Sequence, residues 1–262
     1  MNSLLTDICN RKKKEIELLK TKCSLKSLQK ILGKKENRGF EKLLEDSQQK
    51  EKNNIIAEIK KASPSAGDII RNYHPEDIAV NYEKAGAGAI SILTEKNFFK
   101  GNIDHLSLIN TKTNIPILRK DFIIDPYQIY ESKVYKADSI LLIMTILEDN
   151  EIKEYIKIAN DIGLDCIIEA HTLDEINRAI KIDYPIIGIN NRNLDNLSVN
   201  INNTLDMINQ IPKSFTVIGE SGIKSNANIK KYNDHGVYNF LIGETILRSS
   251  NYDLIIKKLL NK

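Results

Sequence analysis

The chain has 262 residues, 41% hydrophobic and 28% charged, with 38 basic against 35 acidic side chains for a formal net charge of +3. That length suits one large domain with a sizeable core, and so even a charge balance names neither a nucleic-acid nor an acidic partner. No apolar run is long enough to cross a bilayer, and MNSLLTDICNRKKK has too short an apolar stretch before its charges for a secretory signal. Cys9, Cys23 and Cys166 stand far apart without metal-ligand spacing, which predicts reduced structural thiols in a cytoplasmic protein.

Residues 1–50 read as a charged helical extension of the same domain. Leu4, Leu5, Ile8 and Cys9 share one helical face, and Ile16, Leu18 and Leu19 continue the stripe. Gly33 and the polar residues after it break the helix, and Phe40 to Leu44 predict a further turn. The run Lys12-Lys13-Lys14 is interleaved with Asp7, Glu15 and Glu17, a solvated helix face rather than a nucleic-acid patch.

Residues 51–262 repeat one pattern: a short apolar strand, a polar loop, an amphipathic helix and a turn. Ile-Ile-Ala-Glu-Ile-Lys, from Ile55 to Lys60, predicts the first strand, followed by Ala89–Leu93, Ile115–Lys120, Ser139–Ile143, Cys166–Glu169, Ile186–Asn190, Phe215–Glu220 and Tyr238–Ile242. Helices are predicted between them: Pro75 to Lys84, Ile103 to Thr111, Asp125 to Tyr135, Glu148 to Ile162, Thr172 to Ile180, Thr204 to Ile211 and Ser225 to Asn233, with Tyr252 to Leu260 closing the set. Eight alternating units of this length predict an α/β protein with a (β/α)8 TIM barrel, residues 1–50 packing on it over one mouth. The alternative is an open doubly wound sheet, but the Gly-rich dinucleotide fingerprint is missing after the first strand.

In such a barrel the C-terminal strand ends form the active face. Five of these strands end on polar residues: Glu58 and Lys60, Lys120, Glu169, Asn190 with Arg192 beyond it, and Glu220. Glu58 and Lys60 are two residues apart, so a pleated strand points both to one side. Strands two and four instead end in Leu93-Thr94 and Ile143-Met144-Thr145, an expected apolar wall. Ser221-Gly222 and Gly243-Glu244 follow strands seven and eight, where phosphate-binding barrels hold their anion, and Thr245 to Arg248 suits the short extra helix of such sites. The four histidines lack paired metal-binding spacing, and His171, two residues beyond Glu169, is expected to position that carboxylate or the loop rather than to bind metal.

The segments IIAEIKKASPSAG, ILTEKNFFKG, ILRKDFIIDPYQI, IIEAHT, IGINNRNL, IGESGI and LIGETIL, in this order from Ile55 onward, resemble those of the indole-3-glycerol-phosphate synthases of tryptophan biosynthesis. The resemblance implies a carboxy-lyase acting on a phosphorylated small molecule, 1-(2-carboxyphenylamino)-1-deoxyribulose 5-phosphate. Such an enzyme joins the carboxylate-bearing ring carbon to the ketone carbon, expels carbon dioxide and then loses water. On this resemblance Lys120 is a proton donor to the ketone oxygen, poised if positive neighbours or burial lower its pKa. Glu169 is the base, and Lys60, paired with Glu58, contacts substrate and is the candidate second acid.

Asn190 and Arg192 could hold hydroxyls or the carboxylate, and Glu220 is expected to contact substrate. Phe99 and Phe122 match positions lining the aromatic pocket. Ser63, Ser221, Gly222, Gly243 and Glu244 match the phosphate cradle. No cofactor or metal is implied, and a monomer or weak homodimer is expected. A related phosphosugar barrel such as phosphoribosylanthranilate isomerase would want a Cys/Asp pair at its strand ends. A non-enzymatic scaffold would leave the charged rim unexplained.

Overall fold

Eight parallel strands close on themselves in a computed structural model that describes residues 3–33, 37–70, 72–193 and 197–261. The barrel strands are β1 (Asn54–Ile59), β2 (Ala89–Leu93), β3 (Ile117–Lys120), β4 (Ser139–Ile143), β5 (Asp165–Ala170), β6 (Ile186–Asn190), β7 (Thr216–Glu220) and β8 (Asn239–Ile242). Each pairs with its chain neighbours, and β1 pairs with both β2 and β8, which excludes the open sheet. The helices are α1 (Ser3–Lys22), α2 (Leu25–Lys30), α3 (Phe40–Gln49), α4 (Pro75–Ala85), α5 (Asp104–Asn110), α6 (Pro126–Val134), α7 (Asp149–Ile162), α8 (Leu173–Ile182), α9 (Asn202–Ile208), α10 (Asn226–Asn233), α11 (Glu244–Leu247) and α12 (Tyr252–Leu259). Residues 34–36 of the expected helix break and Leu194 of the IGINNRNL segment lie outside the described residues.

Local chemistry explains most element ends. Asp125, Thr172, Ser225 and Asn251 cap α6, α8, α10 and α12 by accepting backbone N–H bonds, and Glu148 and Glu151 form a capping box on α7. The third strand begins two residues later than its apolar run. Pro116 has no N–H to donate, and the Ile117 N–H goes to the Asp138 carboxylate instead of a strand partner. A short antiparallel ribbon, Ala62–Ser63 with Gly67–Asp68, follows β1 and was not legible as strand.

The N-terminal segment divides between the two ends of the barrel rather than covering one mouth. Phe40 and Leu44 of α3 are fully buried in the main core, and α3 is a ten-residue helix where a single turn was expected. Leu44 O accepts a bond from Asn239 at the start of β8, Glu41 N–H bonds Asp165 at the start of β5, and Arg38 pairs with Asp138 at 2.6 Å just before β4. Helix α3 therefore caps the N-terminal end. Helix α1 instead runs past the opposite face: Ile16 packs with Leu28 and Tyr127 in a small second core, Lys20 pairs with Asp125 at 2.8 Å, and Lys12 reaches Asp121 just beyond β3.

Candidate active site

Strand register sets the site. Lys120 is level with Leu93, Glu169 with Ile143, and Glu220 with Asn190. Alternation sends these side chains into one cavity of about 990 Å³ at the C-terminal strand ends. Glu58 and Lys60 open into the same space, where Leu93 and Ile143 of the expected apolar wall are joined by Leu141 rather than by Thr94, Met144 or Thr145, and Phe99 stands beside Phe122, ring centroids 6.2 Å apart.

Lys120 is the hub. Its ammonium donates to Glu169 Oε2 and to Glu220 Oε2, each at 2.9 Å, while Lys60 pairs with Glu58. Burial works against the Lys120 charge, but Glu169, Glu220 and Glu58 outweigh it and hold its pKa well above lysine's ordinary value. This corrects the expectation of a lowered pKa: the neighbours are carboxylates, so Lys120 enters the site as a firmly protonated acid. The two glutamates it bridges differ. Burial raises both, but Lys120 and His171 draw Glu169 far below the usual carboxylate range, whereas burial and repulsion from Glu169 leave Glu220 well above it. Glu220 Oε1 is buried with no hydrogen-bond partner among the described residues.

Two glycines make room for this cluster. A Cβ on Gly188 of β6 would run into Glu220 Oε1, and one on Gly243 would run into Glu58 Oε1. Gly243 thus has a packing reason beside any anion, which the sequence alone did not disclose. The loop after β7 is strained: Ser221 has φ 64° and Gly222 φ 80°. Asn191 holds it in place, its side-chain amide donating to the carbonyls of Glu220 and Ser221 at 2.8 and 3.0 Å. Helix α11 opens at Gly243, and the Glu244 carboxylate is engaged by Arg248 at 2.8 Å, which lowers its pKa. An ionised Glu244 carboxylate has no donor to offer an anion, which sets it apart from the backbone N–H groups of the same loop.

Asn190 Oδ1 accepts the Arg192 backbone N–H at 3.0 Å. The Arg192 guanidinium donates to Leu197 O at 2.9 Å and to Ser65 Oγ at 3.3 Å, tying the loop after β6 to the loop after β1. Ser63 does not line the cavity. Its hydroxyl closes its own turn by accepting from Ala66 N–H, and Ser65 and Ala66 face the space instead.

Three residues that sequence reasoning passed over also shape the site. Glu95, in the quoted ILTEK stretch, accepts the N–H groups of Asn97, Phe98 and Phe99 and so sets the loop that carries the aromatic wall. Asp121 binds Lys12 at 3.1 Å and Arg119 at 3.1 Å on the outer side of β3. Glu175 accepts the His171 backbone N–H at 2.6 Å. A buried acid one or two residues past an apolar strand was the available signal for the first two. No local signal marks the third.

The cavity thus has a protonated lysine beside two carboxylates, an apolar and aromatic flank, and a glycine-lined end suited to an anion. Its size and lining suit a small-molecule ligand. Solved structures share the architecture. A thiamine phosphate pyrophosphorylase from Pyrococcus furiosus (TM-score 0.57, 14% identity, 79% of this chain and 93% of that one) and a 3-hexulose-6-phosphate synthase from Salmonella typhimurium (TM-score 0.64, 12% identity, 79% and 97%) share the fold.

Sequence relatives are nearer. An indole-3-glycerol phosphate synthase of Legionella pneumophila (strain Paris) is 39% identical over 260 residues, 99% of each chain. One of Polynucleobacter necessarius is 42% identical over 214 residues, 82% of this chain and 80% of its own. The family model described as indole-3-glycerol phosphate synthase matches residues 5–259, almost all of both the extension and the barrel, and the chain belongs to that family.

Proposed function

We propose that the cavity binds 1-(2-carboxyphenylamino)-1-deoxyribulose 5-phosphate and closes its indole ring, giving indole-3-glycerol phosphate, carbon dioxide and water as a step of tryptophan biosynthesis. The observation that carries this reading is the Lys120 ammonium held at 2.9 Å from both Glu169 and Glu220, against an apolar wall and in the same cavity as Gly222 and Gly243. The ring carbon bearing the carboxylate attacks the ketone carbon, and Lys120 delivers a proton to the ketone oxygen as it becomes a hydroxyl. Loss of carbon dioxide returns the bonding electrons to the ring.

Dehydration then needs an acid at that hydroxyl and a base for the remaining proton. We assign the first role to Lys60, paired with Glu58, and the second to Glu169. Asn190, Arg192 and Glu220 orient the substrate's polar groups, and Phe99 and Phe122 flank its ring. The N–H groups around Ser221, Gly222, Gly243 and Glu244 hold the phosphate. We assign Ser63 the supporting part of shaping the turn that presents Ser65. The reaction has no redox step and draws its acid and base from side chains. We read residues 1–50 and 51–262 as one domain, acting as a monomer or weak homodimer in the cytoplasm.

The test is direct. Purified protein is incubated with the substrate while indole fluorescence is followed and carbon dioxide release is measured in parallel. Stoichiometric appearance of both supports the reading; a protein that binds the substrate but forms neither product overturns it.

A further inference from the structure

The loop after β5 carries a charge cluster that the steps above leave unused. His171 stands just past the strand, its side chain 8% exposed. Its Nε2 lies 3.2 Å from Glu169 Oε1, an ion-pair contact without hydrogen-bond alignment, and its Nδ1 lies 3.5 Å from Glu175 Oε2 in the first turn of α8. Glu175 is fixed in turn by the Thr145 hydroxyl at 2.7 Å and by the His171 backbone N–H at 2.6 Å. One imidazole is thus set between two carboxylates, at ion-pair distance from each. A neutral ring brings no charge to either, whereas an imidazolium pairs with both.

The two oxygens of Glu169 are divided by this arrangement. Oε1 faces His171, and Oε2 faces the cavity, where it accepts from Lys120 at 2.9 Å. If Lys120 turns to a substrate carbonyl, Oε2 is released while Oε1 stays held.

We propose that His171 is a positioning residue that stays protonated through the reaction, pins Glu169 Oε1, and so leaves Oε2 as the oxygen that takes the substrate's proton, with Glu175 keeping the imidazolium charged. This rests on the assignment of Glu169 as the base. The facing groups support it. Glu169 comes from β5, Glu175 from α8, and the group from the loop after β4 is the uncharged Thr145, 3.4 Å from Nδ1. Burial pulls the His171 pKa down, but the two glutamates outweigh it and raise it to about 9. Lys120 lies beyond Glu169, on its far oxygen.

The experiment combines single-turnover rates against pH with NMR titration of the His171 ring. In the wild-type enzyme the rate should fall as pH rises through about 9, and the ring should lose its proton in the same range. Glu175→Gln should move both transitions down together by about one to two pH units, since it removes one nearby opposite charge. His171→Gln should lower the single-turnover rate about ten- to a hundredfold by loosening the base, with KM little changed, and abolish that limb.

A His171 ring found neutral at pH 7, or a limb unmoved by Glu175→Gln, overturns the proposal. Glu169→Gln separates the two readings. If it retains the wild-type rate, the base assignment fails, while a charged ring that answers Glu175→Gln still upholds the His171–Glu175 pairing.

Discussion

Residues 119–121 serve two buried charge clusters that lie back to back, and the two are built on opposite plans. Arg119 and Asp121 face outward from β3. Arg119 donates to Thr94 Oγ1, Gln128 O, Ser132 Oγ and Asp121, and pairs with Glu131 at 2.9 Å, while Asp121 also takes Lys12 from α1 and the Thr94 hydroxyl at 2.6 Å. Lys120, between them, faces inward to Glu169 and Glu220. In the outer cluster cations and acids are matched, and Lys12 and Arg119 hold Asp121 below its ordinary range against burial. The inner cluster leaves Glu220 Oε1 unpartnered among the described residues and sets two carboxylates to compete for one ammonium. A closed network anchors a helix; an open one keeps acid and base groups available to a ligand.

Four measurements would break or sharpen that contrast. The largest effect is expected from the inner cluster. Lys120→Ala should lower single-turnover ring closure by about 10²–10⁴-fold, the usual cost of losing a positioned general acid. Binding of a phosphorylated substrate analogue should stay within a few-fold, because Gly222 and Gly243 belong to loops across the barrel. A rate within a few-fold of wild type would move the acid role to Lys60.

Arg119→Met should act on stability instead. It strips a shared cation from Asp121 and Glu131, and breaking a buried pair in this way costs about 3–5 kcal/mol. Urea midpoints read it, and an unchanged midpoint would mean that the outer network does not anchor α1 and α6 to β3.

The two clusters should also differ in pH response. Because the His171 pKa is raised from 6.5 to about 9, its contribution is complete below 6.5 and is lost as pH rises through about 9. The linked loss has an upper bound of about 3.4 kcal/mol. Asp121 is lowered, so its contribution is present above the ordinary aspartate range and fails only in acid, while Lys12 and Arg119 are raised further from neutrality. Stability should therefore decline between pH 6.5 and about 9 through the inner cluster, and His171→Gln should flatten that decline. A decline of the same size in His171→Gln would assign it elsewhere.

The smallest change is Gly188→Ala. The added methyl meets the movable end of Glu220, so the fold should hold while the carboxylate shifts. A displacement of about 1 Å in such a site costs roughly 10²-fold in rate. A wild-type rate in Gly188→Ala would show that the position of Glu220 is not critical.

Much of this was legible in the chain. Strand ends at Lys120, Glu169, Asn190 and Glu220 stand out because each closes an apolar run on a residue that a core would reject. The apolar wall at Leu93 and Ile143 followed from the same periodicity. Asp121 was visible as a residue but not as a partner of Lys12, since 109 positions separate them. The Lys12 run read as a solvated face, yet Lys12 itself is 4% exposed, because α1 lies over the end of β3 and a helix face does not reveal what will cover it.

By itself the sequence determined the alternation of strands and helices, their number, and the side of each strand that carries charge, because the periods of two and 3.6 residues and the turn-forming residues are local properties of the chain. Only closure of the barrel decided which charges meet. Lys120 reaches Glu169 and Glu220, 49 and 100 positions away, because the tilted strands of a closed barrel bring side chains of alternate strands into one layer. Whether Lys120 is a lowered-pKa amine or a firmly held ammonium, and which glutamate yields its proton more readily, depends on those through-space partners and on burial. Both are properties of the assembled mouth and of no single segment.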